Sequence, residues 1–261
     1  MKNRIPKWNQ PLRISKHARS CSIRVLPPLI AAVLLCTNYL QAQTAMNGLE
    51  LRSPFHTDDA LILYIGLKQG PAWSDLSRNK LAINNQNVAW MPDQSLSFNG
   101  TNAWLEIPHQ TLISPEKFTL ALWINPATWT NNTTVSLISK KIATTGYLFY
   151  YTGNELYIHA GNNGKLWNTG LAIPTGVWSH LAYTYDAQNS TKYVYLNGVP
   201  VISSTLGNNP TCTEPLRIGR NSGVTDPQFF CGRMADFAFF SRILSSQEVA
   251  RIYQAGLRTH P

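Results

Sequence analysis

Carboxylates are the first groups to weigh, because glycoside hydrolysis needs two of them in one cleft, and on a strand only alternate residues share a face. The chain has 13 acidic residues, and the only two within four positions of each other are Asp58 and Asp59, which face opposite ways if extended. No G-x-S-x-G elbow is present to present a serine nucleophile. Aromatic residues are the richer resource. A turn at Gly153-Asn154 would set Tyr151 opposite Leu156 and Phe149 opposite Ile158, and on the other side Tyr150 opposite Tyr157 and Leu148 opposite His159. The first set reads as core. Tyr150, Tyr157 and His159, with Trp129 and Trp167 in Asn/Thr/Gly-rich loops, offer rings to stack on sugar faces and polar tips for hydroxyls. Burial of the same rings beneath loops is the competing reading.

The formal net charge of +9 suggests a polyanionic partner, but its distribution argues otherwise. Seven of the 22 basic residues lie in residues 1–42, which contain no acid, leaving 15 basic against 13 acidic residues in the remainder. Nucleic acid is therefore not an expected partner. The basic head, the apolar run Val25–Cys36 and the segment ending at Ala42 read as a secretory signal peptide over residues 1–42. That run has 12 residues, short of the ~20 that a membrane span needs, so no stable span is expected. Two of the four cysteines, Cys21 and Cys36, would leave with it. The remaining pair, Cys212 and Cys231, is expected to form a disulfide in an oxidising compartment.

These residues need a scaffold, and the pattern downstream is that of short strands separated by Asn/Gly/Pro/Thr turns. Residues 43–59 read as a leader and 60–258 as one all-β domain of two antiparallel sheets with a short C-terminal helix. The stretch 178–201 predicts a three-stranded meander, His180–Tyr185, Lys192–Leu196 and Val199–Ile202, turning at 186–191 and at Asn197-Gly198. Phe118–Pro126 is apolar on both faces and predicts a central strand covered on both sides. Trp123 and Trp178 are expected to anchor the core. Ser245 or Ser246 should cap the helix, placing Val249, Ile252 and Tyr253 on one face.

Several segments are similar to one family. Trp178, His180, Leu181, Ala182, Tyr185 and Asp186, then Leu196-Asn197-Gly198, resemble the W-x-H-[VL]-A-x-[TV]-Y-D and [VL]-N-G motifs of laminin-G-like (concanavalin-A-like) domains. Ser95–Gly100 with Ala103–Pro108, Phe118–Pro126 and Phe230–Phe240 resemble further strands of that family. The resemblance implies a jelly roll and a non-catalytic module that binds a glycan or a surface protein, with glycoside hydrolysis as the enzymatic alternative. It also implies a structural calcium at Asp75, Asn79 and Asp236, through a loop similar to D-x-S-G-N. Arg78 in place of its glycine, and Asn99 in place of an aspartate, depart from the pattern and should lower affinity for a divalent ion.

Overall fold

A computed structural model describes residues 58–66, 74–128, 134–142, 145–160, 166–204, 212–222 and 228–257. The expected signal peptide, nearly all of the leader and Trp129 lie outside them. In chain order the strands are β1 (Leu61–Ile65), β2 (Asn84–Gln86), β3 (Ala89–Trp90), β4 (Leu96–Asn99), β5 (Trp104–Ile107), β6 (Lys117–Pro126), β7 (Thr134–Ile142) and β8 (Thr145–Thr152). They continue with β9 (Glu155–Ala160), β10 (Leu166–Ala172), β11 (Ser179–Asp186), β12 (Thr191–Leu196), β13 (Val199–Ser204), β14 (Leu216–Ile218) and β15 (Cys231–Phe240), followed by helix α1 (Ser246–Gly256). One sheet runs β13-β12-β11-β6-β15-β4-β3, with β1 also paired to β15; the other runs β10-β9-β8-β7-β14-β5-β2. All pairings are antiparallel, as a jelly-roll sandwich requires.

Alternation along β6 explains why the first sheet is covered twice. Phe118, Leu120, Leu122 and Ile124 enter the core shared with the second sheet, while Ala121 turns outward to a smaller cluster with Ala182, Tyr195, Phe240, Leu244 and Val249. Helix α1 supplies that outer cover. Ser245 accepts from the Glu248 backbone N–H, and the Glu248 carboxylate accepts from the Ser245 N–H, so the first turn starts with its amides satisfied. Tyr253 stacks on Trp123 at 5.5 Å between ring centres. Gly256 permits this approach, since a Cβ there would stand 2.1 Å from the Trp123 Nε1.

The meander forms as expected, with strands one or two residues longer than the apolar pattern suggested. Asn197 and Gly198, at φ 50° and 78°, make the tight turn between β12 and β13. Asp186 accepts from the Gln188 N–H at 2.9 Å and from the Asn189 amide at 2.8 Å, which ties the longer turn to its own strand.

Two expectations require correction. The disulfide is not formed: Cys212 and Cys231 are both free thiols. Cys231 opens β15 opposite Asn99 in the first sheet, whereas Cys212 packs beside Gly146 where β7 turns into β8 in the second. An even cysteine count says nothing about which sheet each thiol joins. Trp178 is also not a core anchor. It stops short of β11, half-buried, with the Arg233 guanidinium 5.5 Å from its ring.

A polar aromatic face on the second sheet

The β8–β9 hairpin has the expected register: Tyr150 opposes Tyr157, Leu148 opposes His159, and Phe149 opposes the core residue Ile158. The Tyr150 and Tyr157 rings stack with centres 5.2 Å apart and planes inclined by 20°. Asn168, directly across from Tyr157 on β10, donates to the Tyr157 hydroxyl and to Glu155 Oε2, each at 3.0 Å. Its own carbonyl accepts from the Gly170 N–H at 2.8 Å, so the amide orientation is fixed from behind. Glu155, Tyr157 and Asn168 thus form a hydrogen-bonded patch around one half-buried ring.

The rest of the expected set is arranged differently. Tyr150 is 7% exposed and His159 is 2% exposed, so both lie beneath the surface. Burial, reinforced by Tyr157, pushes the Tyr150 hydroxyl up to about 12. His159 is pushed down to about 4, first by burial and then by the charges of Lys141 and Lys192, which keeps the imidazole neutral at physiological pH. Its Nδ1 has no hydrogen-bond partner among the described residues. Trp167 opposes Ile158 rather than Tyr157, and packs against the core from the inner side of β10.

A second aromatic group on the outward side was not anticipated. Trp104 stands between the inward residues Ala103 and Leu105, and the Arg220 guanidinium lies 4.7 Å from its ring centre and 5.6 Å from that of Phe229. Beside it Gln228 accepts from Ser136 Oγ at 3.0 Å and from the Asn221 amide at 3.1 Å. Alternation through Ala103, Leu105 and Ile107 already turned Trp104 outward. The return of Arg220 and Phe229 to it is a loop property that alternation does not carry.

The residues suggested for calcium are occupied by the chain itself. Asp75, 1% exposed, accepts from the Tyr64 and Ser77 N–H groups through Oδ1, and from Ser77 Oγ and the Leu81 N–H through Oδ2, at 2.7–3.0 Å. The Asn79 amide donates to the carbonyls of Leu61 and Ile62. Asp236 accepts from the Tyr64 hydroxyl at 2.8 Å, at the far end of the side chain whose backbone Asp75 holds. Among the described residues no three His, Cys, Asp or Glu side chains gather to hold a metal. Arg78 pairs with Asp59 at the surface. As placed, these residues form a hydrogen-bonded clamp on β1.

The sequence profile of the concanavalin A-like lectin/glucanases superfamily matches residues 99–250. No curated protein sequence matches the chain. Among solved structures, the binding domain of botulinum neurotoxin serotype D/C superposes with a TM-score of 0.63 at 14% identity, covering 76% of this chain and 52% of that one. A botulinum neurotoxin DC binding domain in complex with SialylT gives 0.63 at 13% identity, with 76% and 52% covered. The binding domain of Paraclostridial Mosquitocidal Protein 1 gives 0.62 at 17% identity, with 75% and 52% covered. At such identities the likeness is one of fold. The chain spans about half the length of these structures.

Proposed function

The chain belongs to the concanavalin A-like lectin/glucanase superfamily, and from that premise we propose that it is a non-catalytic module that binds carbohydrate outside the cell. The observation that carries the reading is the Glu155–Tyr157–Asn168 patch, in which a half-buried ring is backed by Tyr150 and its hydroxyl is held by an amide. Such a ring is rigid before any ligand arrives, so stacking a sugar on it costs little ordering. Glu155 and Asn168 sit beside it with an acceptor and a donor for hydroxyls. The basic head and apolar run of residues 1–42 support delivery outside the cell. The structurally similar toxin domains support a receptor-binding role, although their ligands belong to chains about twice the matched length.

The reading is tested by screening the mature protein on a printed array of neutral and acidic oligosaccharides, with release of sugar monitored in parallel. Binding without release is expected. Tyr157→Ala should weaken binding by ~1–2 kcal/mol, the usual weight of one aromatic contact, whereas Phe149→Ala should chiefly lower the melting temperature. Sugar release, or unchanged affinity in Tyr157→Ala, counts against the proposal.

A further inference from the structure

The outward face of the first sheet holds a second preorganised arrangement beyond the cover of α1. The row under the helix pairs His180 with Trp123 and Trp123 with Ala235. One row further along, Asn125 is paired with Arg233, and Trp178 precedes β11 on the same side by alternation. Arg233 reaches across to Trp178, its guanidinium 5.5 Å from the ring centre, and on the other side forms an ion pair with Asp93. Asp93 is itself held, its other carboxylate oxygen accepting from the Ser95 N–H at 3.2 Å and from Ser95 Oγ at 2.5 Å. The loop carrying Trp178 is pinned where the Gly176 N–H donates to the Pro126 carbonyl at 2.8 Å. The Arg233 and Asp93 side chains are each 39% exposed, and Val177 is 52% exposed.

A surface ion pair contributes little to stability, and Trp178 is only partly buried. The Arg233–Asp93 ion pair is therefore poorly explained as a device for holding the fold. Its chemistry is that of a sugar site: a ring for the C–H face of a pyranose, guanidinium N–H donors, and a carboxylate acceptor alongside to take a neighbouring hydroxyl. We infer that Trp178, Arg233 and Asp93 form a second carbohydrate site, on the opposite sheet from Tyr157, that takes a neutral pyranose through two vicinal hydroxyls. The site does not depend on the Tyr157 patch, so the two can be lost separately.

Saturation-transfer NMR on the full chain tests this, with the methyl pyranosides of glucose, galactose and mannose as probes. At least one should receive magnetisation at its ring C–H protons in the Tyr157→Ala variant, and lose most of it when Trp178→Ala or Asp93→Asn is added. Asp93→Asn leaves Trp178 in place, so a loss there cannot be ascribed to a disturbed β11 if the melting temperature is unchanged. The inference is overturned if no probe is saturated, if saturation survives both changes, or if Tyr157→Ala alone abolishes it. The last outcome would still leave the Tyr157 reading standing.

Discussion

Asp75 illustrates how fully one carboxylate can serve the backbone around it. Its two oxygens satisfy three amide N–H groups and one hydroxyl while almost completely buried, and each is a charge-assisted bond in a poorly hydrated place. Asp75→Ala should therefore cost on the order of 3 kcal/mol or more, because those donors would be left buried and unpaired. Excess chelator, by contrast, should leave the thermal melting curve of the unmodified protein where it was. A melting temperature that falls on chelation would restore a structural cation and remove the backbone account. Residue type alone could not distinguish these roles, since the same D-x-S-x-N spacing suits a loop around calcium and a loop around N–H groups. The difference lies in Tyr64 and Leu81, whose amides converge from 11 positions before Asp75 and 6 after it.

At the scale of elements, helix α1 was the most legible part. A serine cap at Ser245 or Ser246, of which the structure uses Ser245, and Val249, Ile252 and Tyr253 on one face follow from spacing, as does the facing of Tyr150 and Tyr157 across β8 and β9. What periodicity could not supply is the identity of the covering layer. Trp123 is buried as expected but under the helix, Trp178 is only partly buried, and Trp104 acquires its partners from a loop more than 100 positions later. The helix is also tied down at its start: Arg242 bridges Asp58 and Glu248, each at 2.6 Å. The Arg242 guanidinium, with the Ser245 groups, holds the Glu248 carboxyl down at about 2. Ser245→Ala should accordingly lower stability by ~1 kcal/mol, the usual worth of a cap. Gly256→Ala should cost more, despite the gain in helix propensity, because the new methyl meets the Trp123 indole. Equilibrium urea unfolding of the two variants decides the order; an equal or smaller loss for Gly256→Ala would mean that the helix shifts away from Trp123 without penalty.

For the molecule as a whole, buried ionisable groups give the stability curve a definite shape against pH. The folded-state value of His159 is about 4 against 6.5 for the free side chain, so as pH falls through this interval the unfolded chain binds the proton first and stability is lost. Lys140 and Lys192 are pushed by burial down to about 8 from 10.5, so stability rises as pH climbs from 8 and the unfolded chain alone stays protonated. Tyr147, Tyr151 and Tyr183 are raised well above 10 by burial, and their contribution is lost once the unfolded chain ionises them. The melting temperature should thus fall below pH 6.5, climb between 8 and about 10, and fall again in stronger base. His159→Gln should flatten the acid limb between 6.5 and 4; an unaltered limb would assign it to other groups.

The pairing of β1 with β15 has a further consequence for how the molecule comes into being. Leu61 lies beside Phe240 and Ile65 beside Phe237, so among the described residues the first strand pairs with the last. The central β6 likewise takes β15 as one of its two neighbours and β11 as the other. A ribosome must therefore release nearly the whole sequence before the first sheet can close. Until then, strands meant for the interior stay without their mates, and loop closure over such distances makes assembly slow.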